Sequence, residues 1–291
     1  MSKPIYVVIT PVRNEQENLR QTIQSMVKQM LPPATWVIVD DGSSDATGQI
    51  ADEASAKYTW VRVIHRKDRG FRKPGSGVME AFGEGYRLIE SEPWDFIVKL
   101  DGDLSFKSDF FSSALERFSE DSRLGIGGGT ICVKDGNQLV PEWTGDPPFH
   151  VRGATKIYRS ECWRQIGSLY PVPGWDTLDE IKANMLGWRT YSFADLKLLH
   201  YRHAGQADGA WANWVKNGRA NYISGYHPIF MLVKCARRVF RKPWGIGAAG
   251  LMFGFVSGYL ERLQRIDDAE LIDYLRREQI KRLLFKTSLW G

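Results

Sequence analysis

Residues 35–47, TWVIVDDGSSDAT, carry an apolar run straight into an acidic doublet and then into turn chemistry. The run before Asp40 does not alternate apolar with polar, which marks a strand buried on both faces. The Ser and Asp residues after it cap and turn, so a helix is expected through Gln49–Ala56. The same unit recurs on either side. IYVVIT (5–10) is a first buried strand, followed by a helix opened by Asn14 or Glu15. That helix carries Leu19, Ile23, Met26, Val27 and Met30 at helical spacing, and Pro32-Pro33 stops it. WVRVIH (60–65) is a third strand. A glycine- and cation-rich loop (66–77) and a helix (78–90) lead to DFIVKLD (95–101), the fourth. Strict strand–helix alternation predicts an α/β fold with a mostly parallel central sheet flanked by helices.

The chain has 291 residues, room for one large domain or two small ones, with a formal net charge of +5 and 43% hydrophobic residues. That mild basic excess suits an anionic substrate or an anionic membrane surface. The basic residues cluster beside an apolar run, not among aromatic stacking positions, so nucleic acid is not expected as a partner. Cys132, Cys162 and Cys235 form neither a disulfide framework nor a zinc spacing. The opening apolar run is too short for a secretion signal. A cytoplasmic setting is therefore expected, with peripheral attachment to the inner face of the plasma membrane as its extension.

Beyond residue 105 the alternation is lost. DSRLGIGGGTICV (121–133) is β-like, and residues 136–163 read as strand, loop, strand and helix. A Pro/Gly loop then precedes a helix from about Thr177 to Leu186, and LKLLHYRHAG (196–205) is a late strand ending in histidines and an arginine. The expected division is a catalytic domain over 1–228, its nucleotide-binding half at about 1–105 and its acceptor half at about 106–228, followed by a helical tail over 229–291. The tail opens with Lys234, Arg237, Arg238, Arg241 and Lys242, and an uncharged run from Pro243 to Leu260 follows. Gly250, Gly254 and Gly258 fall four apart, a spacing that permits close helix packing. Two readings of this tail stand side by side: attachment to a membrane surface, or packing on the core or on a second subunit as a homodimer.

In an open α/β sheet, ligands bind beyond the carboxyl ends of the strands. Thr10, Asp40, His65 and Asp101 all fall there. Asp101 and Asp103 stand one position apart, where like charges repel unless something positive is shared. TPVRNEQENL, VDDGSSDAT and LDGD, in this order and spacing, resemble the family-2 glycosyltransferases of the GT-A fold, over roughly residues 5–225.

The resemblance implies an inverting, metal-dependent glycosyltransferase of the hexosyl- or N-acetylhexosaminyl-transferase class. Its donor would be a nucleotide-sugar, a UDP-sugar by preference. Its acceptor would be a hydroxyl or phosphate on a saccharide or polyprenyl-linked carrier, in polysaccharide or glycolipid synthesis. Mn²⁺ or Mg²⁺ would bridge the donor diphosphate, held by Asp103 with His200, while Asp101 reaches the ribose or a metal-bound water. Thr10, Pro11, Arg13 and Glu15 would frame the base and ribose, and Asp40 would accept from a base N–H. Arg72 and Lys73 would touch ribose or phosphate. In GWDTLDEIKANMLGW, Asp176 matches the family's general base and Gly187 its later glycine, with Trp175 where glutamate is common. Asp179 and Glu180 are rival bases, and Asp176 also reads as a helix N-cap. Arg202 and His203 are weaker candidates. Lys216 and Arg219 would steady the departing diphosphate. WVKNGRANY (214–222) lacks the Gln and Trp of the QxxRW motif of processive synthases, which makes the expected enzyme non-processive. A sugar nucleotidyltransferase would show a glycine-rich basic loop after the first strand, where TPVRNEQEN stands instead. A non-catalytic nucleotide-sugar-binding module is the other alternative.

Overall fold

The computed structural model describes residues 3–71, 76–167, 169–202, 209–241 and 244–290. Its first part alternates as expected: β1 (Tyr6–Val12), α1 (Leu19–Val27), β2 (Thr35–Asp40), α2 (Thr47–Lys57), β3 (Val61–His65), α3 (Ser76–Ile89) and β4 (Phe96–Leu100). A short β5 (Leu104–Phe106) precedes α4 (Phe110–Glu120), β6 (Leu124–Asp135), β7 (Gln138–Pro141) and β8 (Thr155–Arg159). Then come α5 (Ser160–Ile166), α6 (Trp175–Met185), β9 (Arg189–His200), α7 (Gly209–Ile223), α8 (Pro228–Val239), α9 (Ile246–Leu260) and α10 (Ala269–Leu283).

The nine strands form one sheet in the order β3-β2-β1-β4-β8-β6-β9-β5, with β7 hydrogen-bonded to β6. β1, β2, β3 and β4 run parallel, whereas β8 is antiparallel to both β4 and β6. Alternate residues of the parallel strands enter two separate cores, as a period-2 backbone requires. Tyr6, Val8, Trp36, Ile38 and Val98 pack beneath α1, α2 and α4. Val7, Ile9, Val37, Val39 and Ile97 pack beneath α3, α5 and α6. The fold is GT-A.

A third core joins Leu178 and Ile181 of α6 to Tyr222 of α7, Met231 of α8, Phe255 of α9 and Leu275 of α10. The expected boundary near residue 228 thus crosses one packed cluster that takes in both the tail and the acceptor half.

Two local expectations are corrected. α1 starts at Leu19, not near Asn14, because Asn14 adopts a left-handed φ of 53°. Its carboxamide accepts from Ser44 N–H, and Glu15 N–H donates to Thr47, so these residues tie two loops together instead of opening a helix. Met30 lies past the end of α1 and is 73% exposed.

Candidate active site

The acidic pair after β4 has protein partners that the sequence left unrecognised. Lys99 points inward from β4, its side chain only 3% exposed, and pairs with Asp101, which is 32% exposed. Asp103 has a different cation. β5 pairs antiparallel with β9 and sets Leu104 opposite His200. That register brings His200 Nε2 to 3.3 Å from Asp103 Oδ2. On the other edge of the ring, Nδ1 lies 3.0 Å from Glu142 Oε2. Burial alone would lower the His200 pKa, yet hydrogen bonds to Asp103 and Glu142 push it up to about 10. Glu142 was missed: it follows β7, far from His200 in the chain, and no local pattern marks it.

Glu15 closes the cluster. It is ion-paired to Arg202, which also donates to the Asn14 carbonyl. Burial, and then repulsion from Asp103, raise Glu15 to about 7 despite Arg202. Burial and the neighbouring Asp103 likewise raise Asp101, against the pull of Lys99. Four carboxylates therefore converge on three cations at the strand ends.

Asp176 stands in the first turn of α6. Its pKa is held below the ordinary carboxylate value: burial works against this, but His150, Lys156 and Arg152 outweigh it, and the Gly153 N–H donates to it. The helix makes no side-chain cap bond at Gly174, so the capping role is not seen. Gly153 also offers its carbonyl to Lys99 Nζ, so one backbone unit joins the acidic pair to Asp176. The rivals are engaged elsewhere. The fully buried Lys156 holds Asp179 and Glu180, each at 2.8 Å. Tyr158 donates to Asp179 at 2.6 Å, and Val151 N–H donates to Glu180 at 2.7 Å. Asp179 is 2% exposed and Glu180 0%, whereas Asp176 is half-buried and open to a ligand. The Trp175 ring, at the family's usual glutamate position, lies beneath both Lys99 and Lys156, 5.6 and 5.5 Å from its centre.

The residues expected around a base and ribose divide. Thr10 is fully buried and its hydroxyl accepts from the Trp36 indole at 2.9 Å, so it braces the core instead of facing a ligand. Asp40 is 5% exposed and accepts from Ser43 N–H at 2.9 Å, while His65 Nδ1 lies 3.1 Å from its other oxygen. Its carboxylate thus shapes the loop between β2 and α2. Pro11 lies on β1, partly exposed, near the strand end. Arg13 donates to the Asp41 carbonyl and to Asp68 at 2.7 Å. Asp41 receives Arg66 and both terminal nitrogens of Arg69, a cationic clamp from the expected loop but from neighbouring residues. Arg72, Lys73 and His203 lie outside the described residues. Arg219 is turned away: on α7 it donates to Ser257 of α9 at 3.1 Å and pairs with Glu261.

The site's donors fit a divalent cation. The Asp103 carboxylate oxygens suit Mn²⁺ or Mg²⁺, and His200 would add a nitrogen only after giving up the proton it now holds between Asp103 and Glu142. Among the described residues no three His, Cys, Asp or Glu side chains form a ready-made metal cage. Glu15 is raised first by burial and then by Asp103, and such an ion would relieve the second of these.

Comparison with known proteins identifies the family of this chain. The model of glycosyl transferase family 2 matches residues 7–161. A polyprenol monophosphomannose synthase of Mycolicibacterium smegmatis is 34% identical over 131 residues, 43% of this chain and 47% of that protein. A dolichol-phosphate mannosyltransferase of Pyrococcus furiosus is 33% identical over 190 residues, 62% of this chain and 49% of that protein. The chain thus spans about half the length of these curated relatives. A mannosyltransferase of Pyrobaculum calidifontis, solved with GDP-Man and Mn²⁺, superposes with a TM-score of 0.63 at 16% identity, over 90% of this chain and 88% of that one. With the family model covering more than half of its length, the chain belongs to glycosyl transferase family 2.

Proposed function

We propose that this chain is an inverting, non-processive glycosyltransferase that moves a hexose from a nucleoside diphosphate sugar to a lipid-linked phosphate. The observation that carries the reading is the pairing of Asp101 and Asp176 across Gly153, through Lys99. It sets a donor-side carboxylate and an acceptor-side carboxylate on two sides of one backbone turn. The acceptor oxygen would attack the anomeric carbon as the bond from that carbon to the diphosphate breaks, and the nucleoside diphosphate would leave with the electron pair. One displacement inverts the centre. Asp176, ionised at neutral pH, takes the proton that a hydroxyl or monoprotonated phosphate gives up. Asp103 and His200 would hold the divalent cation, which offsets charge on the leaving diphosphate. Arg66 and Arg69 hold the Asp41 carboxylate at the β2 end. Mannose from GDP-mannose is the first donor to try, because the named relatives include polyprenol- and dolichol-phosphate mannosyl enzymes.

The test is nucleotide release from GDP-mannose and a set of UDP-sugars with Mn²⁺, with and without polyprenyl phosphate. Nucleoside diphosphate release that requires both the ion and the lipid phosphate, with an inverted anomer by NMR, supports the proposal. Pyrophosphate formation from a nucleoside triphosphate and a sugar phosphate would replace it with the nucleotidyltransferase reading. Tight donor binding with no turnover on any acceptor would replace it with the binding module.

A further inference from the structure

The tail's glycines and its apolar residues lie on opposite faces of α9. Gly254 backs onto α7, where an added Cβ would lie 2.0 Å from the Val215 carbonyl oxygen. Gly218 of α7 answers it, 2.1 Å from the Leu251 carbonyl oxygen by the same measure. The small-residue seam is therefore filled from within the chain. The outward face carries Ile246, Ala249, Phe253, Val256 and Leu260, all exposed, at the spacing of a single helical stripe. Phe253 is 55% exposed and Leu260 79%. Water-facing helix surfaces are ordinarily polar, and no charged residue occurs between 243 and 260. α8 adds exposed Ile229, Leu232 and Val239, and Phe240 and Trp244 are also exposed. Exposed Arg237 and Arg241 stand at one end of this surface, and at the other Arg262 stands beside Glu261, whose charge Arg219 offsets.

We propose that the outer face of α9, with Phe240 and Trp244, rests in the headgroup region of an anionic lipid bilayer. No helix among the described residues is long and apolar enough to cross a membrane, so the helix lies in the plane. Cations at both ends favour an anionic partner over a second copy of the chain, because an antiparallel copy would set arginine against arginine. An aromatic belt residue such as Trp244 belongs at the boundary between headgroups and acyl chains. This reading is independent of the transferase reading, since binding is measured without turnover.

The test is flotation of the full chain on vesicles of phosphatidylcholine alone or with one-third phosphatidylglycerol. The expected result is flotation with the anionic vesicles at low salt and release at high salt. Arg237→Gln with Arg241→Gln weakens binding about 25-fold, from about fivefold per cation at an anionic surface. Phe253→Glu with Val256→Glu abolishes flotation at any salt while leaving the melting temperature unchanged. A full chain that stays at the bottom of the gradient at low salt overturns the proposal. A dimer by light scattering, dispersed by the glutamate pair and accompanied by no flotation, assigns the face to a second copy instead.

Discussion

Lys99 and Asp176 meet at one residue: the lysine ammonium donates to the Gly153 carbonyl, and the Gly153 N–H donates to the Asp176 carboxylate. Both sides of the proposed reaction are thereby fixed to a single backbone position. Asp176→Asn should leave donor affinity intact and cut turnover by about 10²–10⁴. With polyprenyl phosphate as acceptor, the deficit should shrink as pH rises past about 6, where the phosphate loses its second proton unaided. Turnover measured between pH 5 and 8 decides this, and an undiminished deficit would show that Asp176 does not act by taking the phosphate proton.

Lys156 shows the opposite behaviour to a catalytic group. It is fully buried between Asp179 and Glu180, so Lys156→Met leaves Asp179 without a cation and Glu180 with His150 alone. The expected loss is about 3–5 kcal/mol of unfolding free energy. Denaturant titration checks it. Asp179→Asn should likewise lower stability while the folded fraction keeps its specific activity, in contrast to Asp176→Asn.

Asp103→Ala should abolish metal-dependent donor binding and leave the fold intact. The motivation is the approach of Asp103 to His200 at the strand ends. Calorimetry with donor, with and without Mn²⁺, gives the answer: unchanged affinity and unchanged metal dependence in the variant would contradict the assignment.

Glu15 makes stability fall with pH in metal-free buffer. The folded chain keeps a proton on Glu15 up to about pH 7, whereas the ordinary value is 4.5. Between those values the folded state binds more protons than the unfolded state, so stability declines as pH rises through that window and levels off above it. The size is on the order of 2–3 kcal/mol. Glu15→Gln removes the titration, so its melting profile from pH 5 to 8 in chelator should be flatter than that of the wild type. Parallel profiles would show that the strand-end field is already compensated.

The parallel half of the sheet was legible because β1, β2 and β4 are buried on both faces and so read as unbroken apolar runs. β5 was not: three residues at a sheet edge carry no periodicity, and it was the pairing of β5 with β9 that brought His200 to Asp103. The inward direction of Thr10 was available in principle, since it shares the parity of Val8 and Val12, the face that packs against Trp36. Choosing among Asp176, Asp179 and Glu180 was not possible from spacing. What separates them is a lysine twenty positions earlier whose burial only the fold reveals. The engagement of Asp40 by Ser43 has a local reason, because a carboxylate at the end of β2 is within reach of the backbone N–H of its own turn.

The glycine seam between α7 and α9 has one more consequence. Gly174, at the entry to the Asp176 helix, lies against Ala220 and Ser224 at the far end of α7. The α7–α9 seam is backbone against backbone, and Gly174 meets α7 through the short side chains of Ala220 and Ser224, so little compliance separates α9 from that entry. The tail then acts as a fixed spacer, not a tether. Whatever α9 rests on, the height of Asp176 above it is set by the thickness of stacked helices. An acceptor whose reactive oxygen stands at another height would be refused by geometry alone.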